Sequence, residues 1–201
     1  MQTEKFFSAK RVTGIAVLLA LVIVLQGALG SVSVGGVQLN FSLIPIVLGA
    51  AIYGVAAGGV LGFACGVVVL VQVITGGGFY AVIWTNSPVV TTLTCLLKTT
   101  VAGALSGLAY WVIEKKNKTA ATFIAAAIVP IVNTALFILG CLCMSGSIAI
   151  FQSSLGMYTD MNALVFILVV LVTFNFFIEL AINLIVAPTL CRVIGIVAKN
   201  V

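Results

Sequence analysis

Long apolar stretches separated by short loops leave this chain almost no polar surface with which to face water. Hydrophobic residues make up 63% of its 201 residues and charged residues only 6%, whereas soluble domains carry about 25% charged residues. A helix that crosses the bilayer needs about 20 apolar residues, so the chain has room for six such helices. The sequence therefore predicts an all-α integral membrane protein whose residues 1–201 form a single transmembrane domain.

Six membrane-spanning helices follow from where the apolar stretches begin and end. Polar or glycine-bearing loops are expected over residues 30–40, 75–87 and 145–161, and a charged loop over residues 114–118. Only a tight turn near Gly54 separates the second and third spans, and the second is short. The predicted spans cover residues 12–29, 41–53, 55–74, 88–113, 120–144 and 162–186.

The basic residues predict which side of the membrane each loop faces, because cytoplasmic loops carry an excess of lysine and arginine. With six spans, every basic residue outside the spans falls on one side of the membrane. An odd number of spans would divide these residues between the two sides. We therefore expect both termini to lie in the cytoplasm. The residues are Lys5, Lys10, Arg11, Lys115, Lys116, Lys118, Arg192 and Lys199.

Several classes of activity lack the residues that they require. The chain has no histidine, and its five cysteines lie in apolar stretches where we interpret them as small packing residues, so we expect no metal site. It has no phosphate-binding loop of the P-loop type, no G-x-S-x-G motif and no H-E-x-x-H motif. Its basic residues mark helix ends and do not indicate nucleic-acid binding. We expect neither an enzyme nor a cofactor.

Small residues recur at every fourth position on three of the predicted helices. A helix face without large side chains lets a second helix approach closely in the membrane. For the glycines we favour packing within the molecule, and the two alanines alone are too common a pattern to indicate more than that. The positions are Gly54 just before the third span, Gly58, Gly62 and Gly66 on it, Gly103 and Gly107 on the fourth, and Ala16 and Ala20 on the first.

Lys98 is the only basic residue inside a predicted span. It lies ten residues beyond Pro88, which places it about 15 Å from the outer end of its helix and close to mid-membrane. A cation there costs about 2.5–3.5 kcal/mol on insertion scales, so its side chain is expected to face a polar cavity or a partner. Two interpretations stay open: Lys98 binds an anionic group of a ligand, or it pairs with Glu179 and holds the helices together.

Polar residues on the fifth and sixth spans predict a cavity at the depth of Lys98. Asn175, Glu179 and Asn183 are four residues apart and share one helix face. The helix rise places Lys98, Asn133 and Asn175 at similar depths on three successive spans, as the polar floor of an outward-facing cavity would require. Glu179 lies nearer the cytoplasm, where it would brace Lys98 or face a partner protein.

The outer loops carry aromatic and amide side chains before the second and fourth spans. Tyr80 and Trp84 are typical of the aromatic belt at a membrane interface, and for each residue alone that interpretation is favoured. Alternatively, these loops form a lid that closes over a bound molecule. Asn40, Trp84 and Asn86 are accordingly the candidate ligand-binding residues of the outer loops.

Residues 40–63, with Pro45 and small residues at spacing four, resemble the second and third spans of vitamin-binding S components of energy-coupling factor (ECF) transporters. Residues 96–107, which contain Leu-Leu-Lys followed by two glycines, and residues 130–137, which begin Pro-Ile-Val-Asn-Thr, are also similar to this group. The likeness covers most of the chain and includes the six-span plan with cytoplasmic termini. It is specific for the superfamily and much weaker for the substrate.

The resemblance implies a substrate-capture subunit with the six-helix S-component fold in the plasma membrane of a prokaryote. S components bind a vitamin or a related micronutrient near the outer face and associate with a module of one transmembrane T subunit and two ATPases. In that family, small residues on the first span contact the T subunit, and Ala16 and Ala20 match this pattern. The missing phosphate-binding loop would then fit, because partners would supply the energy.

Within the superfamily, the sequence looks closest to pantothenate-type members, with the riboflavin type next. Pantothenate has a carboxylate, hydroxyl groups and an amide, which would suit Lys98 with Asn133 and Asn175. Riboflavin would instead require stacking or apolar contact over a large ring. We therefore expect pantothenate, with riboflavin or another micronutrient as the alternative. A standalone carrier or channel is a further alternative, and the lack of a clear inverted repeat weighs against it.

Overall fold

A computed structural model describes residues 9–29, 33–34, 37–156 and 158–197. Within these residues, five helices are long and apolar enough to cross a membrane, and a shorter apolar helix accompanies them. The predicted all-α membrane fold is confirmed. The helices are α1 (Ala9–Leu29), α2 (Leu43–Tyr53), α3 (Val55–Thr75), α4 (Phe79–Asn86), α5 (Pro88–Ile113), α6 (Lys118–Cys143), α7 (Ser145–Ser154), α8 (Ala163–Phe166) and α9 (Thr173–Val197).

Two irregular segments complete the chain path. Strands β1 (Ser33–Val34) and β2 (Val37–Gln38) pair as a short antiparallel ladder before α2. A π-helical segment, Ile167–Val172, joins α8 to α9, so that one continuous helical rod runs from Ala163 to Val197. The rod continues well beyond residue 186, where the sixth span was predicted to end. The sequence there stays apolar enough to extend the helix past the expected boundary.

Two segments predicted as loops contain short helices that pack on each other. Helix α4 lies within residues 75–87, and helix α7 lies within residues 145–161. The Phe79 ring of α4 is almost completely buried, and its centroid lies 5.2 Å from that of Phe151 on α7. Helices of eight to ten residues are marginal on their own. The contact between α4 and α7 therefore stabilises both helices. No local sequence pattern predicts this contact.

Helix α5 packs on the face of α3 that is formed by Gly58, Gly62 and Gly66. An added Cβ at Gly66 would lie 2.6 Å from the Cys95 carbonyl oxygen, and one at Gly62 would collide with the Thr99 carbonyl oxygen. Gly58 and Gly103 face each other in the same way. Backbone therefore touches backbone along this seam, as small residues in membrane helices allow. The glycines serve packing within the molecule.

A tight turn at Gly54 joins α2 to α3, and Arg11 of α1 forms a hydrogen bond with the last carbonyl group of α2. Gly54 has φ +91°, a left-handed conformation that glycine adopts without strain. The Arg11 guanidinium donates a hydrogen bond to the Tyr53 carbonyl oxygen at the end of α2. A cation is favourable there because unpaired carbonyl groups concentrate at a helix C-terminus.

The described basic residues outside the spans gather at one end of the bundle. Residues from the ends of α2, α5 and α9 and from the start of α6 line one groove, and Arg11 contacts the end of α2. Lys10, Arg11, Lys115, Lys116, Lys118 and Arg192 belong to these helix ends. This common end is the side predicted to be cytoplasmic. Lys5 and Lys199 lie outside the described residues.

Candidate ligand-binding site

A cavity lies among α1, α3, α5, α6 and α9, beneath the chain segment that precedes α2. Its walls combine one cation, one carboxylate and several amides with aliphatic and aromatic side chains. Five of the residues predicted from the sequence line it, namely Asn40, Lys98, Asn133, Asn175 and Glu179. The polar residues of four distant chain segments therefore meet at one place.

Lys98 is half-buried and borders the cavity. Its ammonium lies 5.1 Å from the centroid of the Phe137 ring, a cation–π contact. Among the residues that the structure describes, no carboxylate lies within ion-pair distance of Lys98. The direct Lys98–Glu179 pair is therefore not formed, and the ammonium keeps its hydrogen-bonding capacity for the cavity.

Glu179 holds the extended segment of residues 37–40, which we call the strap. Its carboxylate accepts the Asn40 backbone N–H at 2.8 Å. The strap has no helical hydrogen bonds of its own, and non-helical backbone inside a membrane protein is tolerated only where other groups satisfy it. Glu179 is thus an anchor for the strap.

Two further side chains complete the attachment of the strap. The Asn175 amide donates to the Val37 carbonyl oxygen at 3.2 Å, and the Gln38 N–H donates to the Tyr80 hydroxyl at 2.8 Å. Burial raises the pKa of the Tyr80 hydroxyl, which therefore stays neutral. The predicted second span, residues 41–53, corresponds to the 11-residue helix α2, which is about 16 Å long.

The π-helical segment sets which residues of the last helix face the cavity. Thr173 donates its hydroxyl to the Leu168 carbonyl oxygen five residues earlier, at 2.6 Å. The wider turn brings Leu171 and Val172 to the cavity wall together with Asn175. Such π segments are frequent at functional sites because they change the direction in which side chains point.

Comparison with protein-family models matches residues 10–191 to the family described as the substrate-specific component of ECF transporters. The chain belongs to this family. Membership identifies it as an S component, a multi-pass membrane subunit of a transporter, and confirms the family that residues 40–63, 96–107 and 130–137 indicated. S components in general associate with T and ATPase subunits, and they are substrate-binding components, a class distinct from enzymes. No curated protein matches the sequence.

Two residues predicted to bind ligand from the outer loops lie away from the cavity of this S component. Asn86 is exposed, and its amide donates to the Val82 carbonyl oxygen of its own helix at 2.8 Å. Trp84 is half-buried and packs against the hydrophobic core. Because this segment is the helix α4, its buried face consists of Phe79, Tyr80 and Ile83. Of its aromatic and amide side chains, Tyr80 is the one that lines the cavity.

A buried amide network beside the cavity was not predicted from the sequence. The Gln26 amide donates to Gln72 Oε1 at 3.0 Å, and the Gln72 amide donates back to the Gln26 carbonyl oxygen at 2.8 Å. Ser42 links Gln26 Oε1, at 3.2 Å, to the side chains of Asn40 and Cys65. Gln26 and Gln72 are uncharged polar residues inside apolar spans, and the same pattern predicted Asn133 as a site residue.

The groups in the cavity suit noncovalent binding of a small polar molecule. An ammonium, several amides and two aromatic rings offer charge, hydrogen bonds and apolar contact. Within the described residues, no group of three or more His, Cys, Asp or Glu side chains could hold a metal ion.

Proposed function

We propose that this S component captures a small anionic solute from the outer side of the membrane and delivers it through an ATPase-driven module. The observation that carries the proposal is the Lys98 ammonium, which borders the cavity and has no carboxylate partner among the described residues. A cation at this depth costs free energy of insertion, so an intramembrane lysine indicates a functional role. Both termini would lie in the cytoplasm of a prokaryotic cell.

Pantothenate is the substrate that we propose first. Its carboxylate would bind Lys98, and its hydroxyl and amide groups would bind Asn133 and Asn175. Riboflavin or another micronutrient is the second candidate. It would need a stacking surface for a larger ring system, and Tyr80 and Phe137 are the aromatic residues that the cavity offers for this purpose.

The energy for transport would come from two ATPases, coupled through a T subunit that docks on α1. Among the described helices, α1 packs mainly on α2 and α3, through a side that includes Leu18 and Val22. Ala16 and Ala20 lie on the opposite, exposed side. Small residues there would let a helix of the T subunit approach closely.

The isolated S component should bind pantothenate without transporting it. We expect saturable binding by isothermal titration to the purified full-length chain in detergent. Uptake into proteoliposomes should require co-reconstitution with the T subunit and ATPases and should require ATP. Transport by this chain alone would contradict the proposal and favour a standalone carrier. Failure to recover a T subunit and two ATPases in mild detergent would count against it as well.

A tryptophan at Ala16 or Ala20 should abolish uptake and leave substrate affinity unchanged. The bulky ring would keep the T subunit from approaching α1, while the cavity lies on the other side of this helix. The matched control is Ala181→Trp, because Ala181 is also an exposed alanine of a long membrane helix, and this variant should transport normally. Uptake and binding are measured on the same preparations. Loss of binding in Ala20→Trp would show that this face has been assigned wrongly.

A further inference from the structure

A second cavity adjoins the first and shares five lining residues with it, among them Lys98, Tyr80 and Phe137. We call the first cavity the inner lobe and the second the outer lobe. The outer lobe extends from Lys98 toward α4, between Ile83 and Met144. Its residues come from the helix ends opposite the basic end of the bundle. Lys98 therefore lies at the border between two spaces.

The wall of the outer lobe offers almost no free hydrogen-bonding groups. Its other side chains are mainly aliphatic, aromatic or sulfur-containing. The two threonines that border it are already engaged, since the Thr91 hydroxyl donates to the Ile83 carbonyl oxygen at 3.0 Å and the Thr94 hydroxyl donates to the Val90 carbonyl oxygen at 2.7 Å. A polar group placed in this lobe would lose its water without compensation. A hydrocarbon group makes no hydrogen bonds to water and would therefore enter this lobe without that loss.

The inner lobe has the opposite chemistry. Oδ1 of Asn133 and Oε1 of Gln38 are buried there and accept no hydrogen bond within the described structure. Buried acceptors without a donor are unfavourable, and in native proteins they call for an explanation. An N–H or O–H group of a ligand would satisfy them. The inner lobe thus selects a hydrogen-bond donor.

We infer that the substrate is an amphipathic anion that occupies both lobes. Its anionic group lies at Lys98 on the border, its N–H or O–H groups bond Asn133 and Gln38, and a hydrocarbon arm fills the outer lobe beside Ile83 and Met144. The inference rests on the proposed function, because it concerns the solute captured in the same cavity. It adds that apolar contact in the outer lobe contributes to the affinity.

N-acetyl amino acids with linear side chains are suitable probes. Each has a carboxylate, an amide N–H on one side of it and an alkyl arm of variable length on the other. We expect affinity for the full-length chain to rise about fourfold per methylene from N-acetylglycine to N-acetylnorleucine, on the order of 10² overall. Titration calorimetry in detergent measures the ratio of the two dissociation constants. A ratio near one would overturn the inference.

Filling the outer lobe should remove this dependence on chain length. Ile83→Trp is expected to bring the affinity ratio of N-acetylnorleucine to N-acetylglycine close to one, whereas Thr85→Trp, at an exposed position of the same helix, should keep it. Met144→Ala enlarges the lobe and should move the preferred arm to a longer chain, which gives a second test if Ile83→Trp does not fold. Slower association of all probes at an unchanged ratio would identify the outer lobe as an access passage and overturn the inference.

The outcomes separate this inference from the proposed function. If the chain binds pantothenate or N-acetylglycine but shows no dependence on the arm, the capture function stands and the amphipathic substrate class is wrong. If neither pantothenate nor any member of the series binds, both fail together. Binding that increases with arm length and disappears in Ile83→Trp supports both.

Discussion

Replacing Gly62 with alanine is expected to destabilise the bundle by about 3 kcal/mol, the upper part of the usual range for overpacking. The added Cβ would overlap the Thr99 carbonyl oxygen and lie 3.0 Å from the Thr100 Cα. Both are backbone atoms that cannot rotate away, so α3 and α5 would have to separate along their whole contact. Thermal unfolding of the detergent-solubilised chain, followed by tryptophan fluorescence, measures the loss.

Gly59→Ala is the matched control, because it makes the same chemical change on the same helix. Its Cβ would meet only the Ala104 Cβ at 3.9 Å, an ordinary contact. Alanine favours the helix over glycine by about 1 kcal/mol, so this variant should be as stable as the wild type or slightly more stable. Equal melting temperatures for Gly62→Ala and Gly59→Ala would contradict the backbone-to-backbone packing of this seam.

Replacing Lys98 with methionine is expected to weaken pantothenate binding about 100-fold. A hydrogen bond to a charged group contributes about 1.5–3 kcal/mol, and Lys98 is the cation that borders the cavity. Methionine keeps the length and the apolar stem of the side chain, so the helix contacts should persist. The fold should therefore be retained, as thermal unfolding of the same preparation would report. Titration calorimetry with pantothenate gives the affinity.

Lys115→Met is the control for the loss of charge and of a cation–π contact. The Lys115 ammonium lies 5.2 Å from the centroid of the Trp111 ring, nearly the geometry of Lys98 over Phe137, but at the basic end of the bundle. Its removal should leave affinity unchanged. If Lys98→Met unfolds the bundle while the remaining folded protein binds normally, Lys98 is a structural residue, as the pairing with Glu179 would have required.

Much of the architecture could be predicted because insertion into the membrane depends on the local content of apolar residues. Apolar stretches of about 20 residues must be helical in lipid, where backbone groups have no other partners. The same reasoning identified Lys98, Asn133 and Asn175, since a polar group inside an apolar span needs a polar environment. Gln26 and Gln72 are also uncharged polar residues inside apolar spans, so the same reasoning applies to them.

The role of Glu179 could not be predicted from its helix position. Its spacing from Asn175 placed it on the correct face, but its partner is the backbone of Asn40, 139 residues away in the chain. An extended strap inside a helical bundle has no periodic signature. Its stability comes from side chains of α4 and α9 that satisfy its backbone groups. Such long-range compensation is invisible to a local pattern.

The sequence by itself determined that this chain crosses a membrane as a helix bundle, which end carries the basic residues, and which polar side chains lie within the spans. These properties follow from composition and helix rise alone. Only the tertiary structure decided which of those side chains share a cavity. It placed Trp84 and Asn86 outside and turned residues 37–40 inward as a strap. The physical reason is that these outcomes depend on contacts between distant segments, where packing and hydrogen-bond satisfaction outweigh local preference.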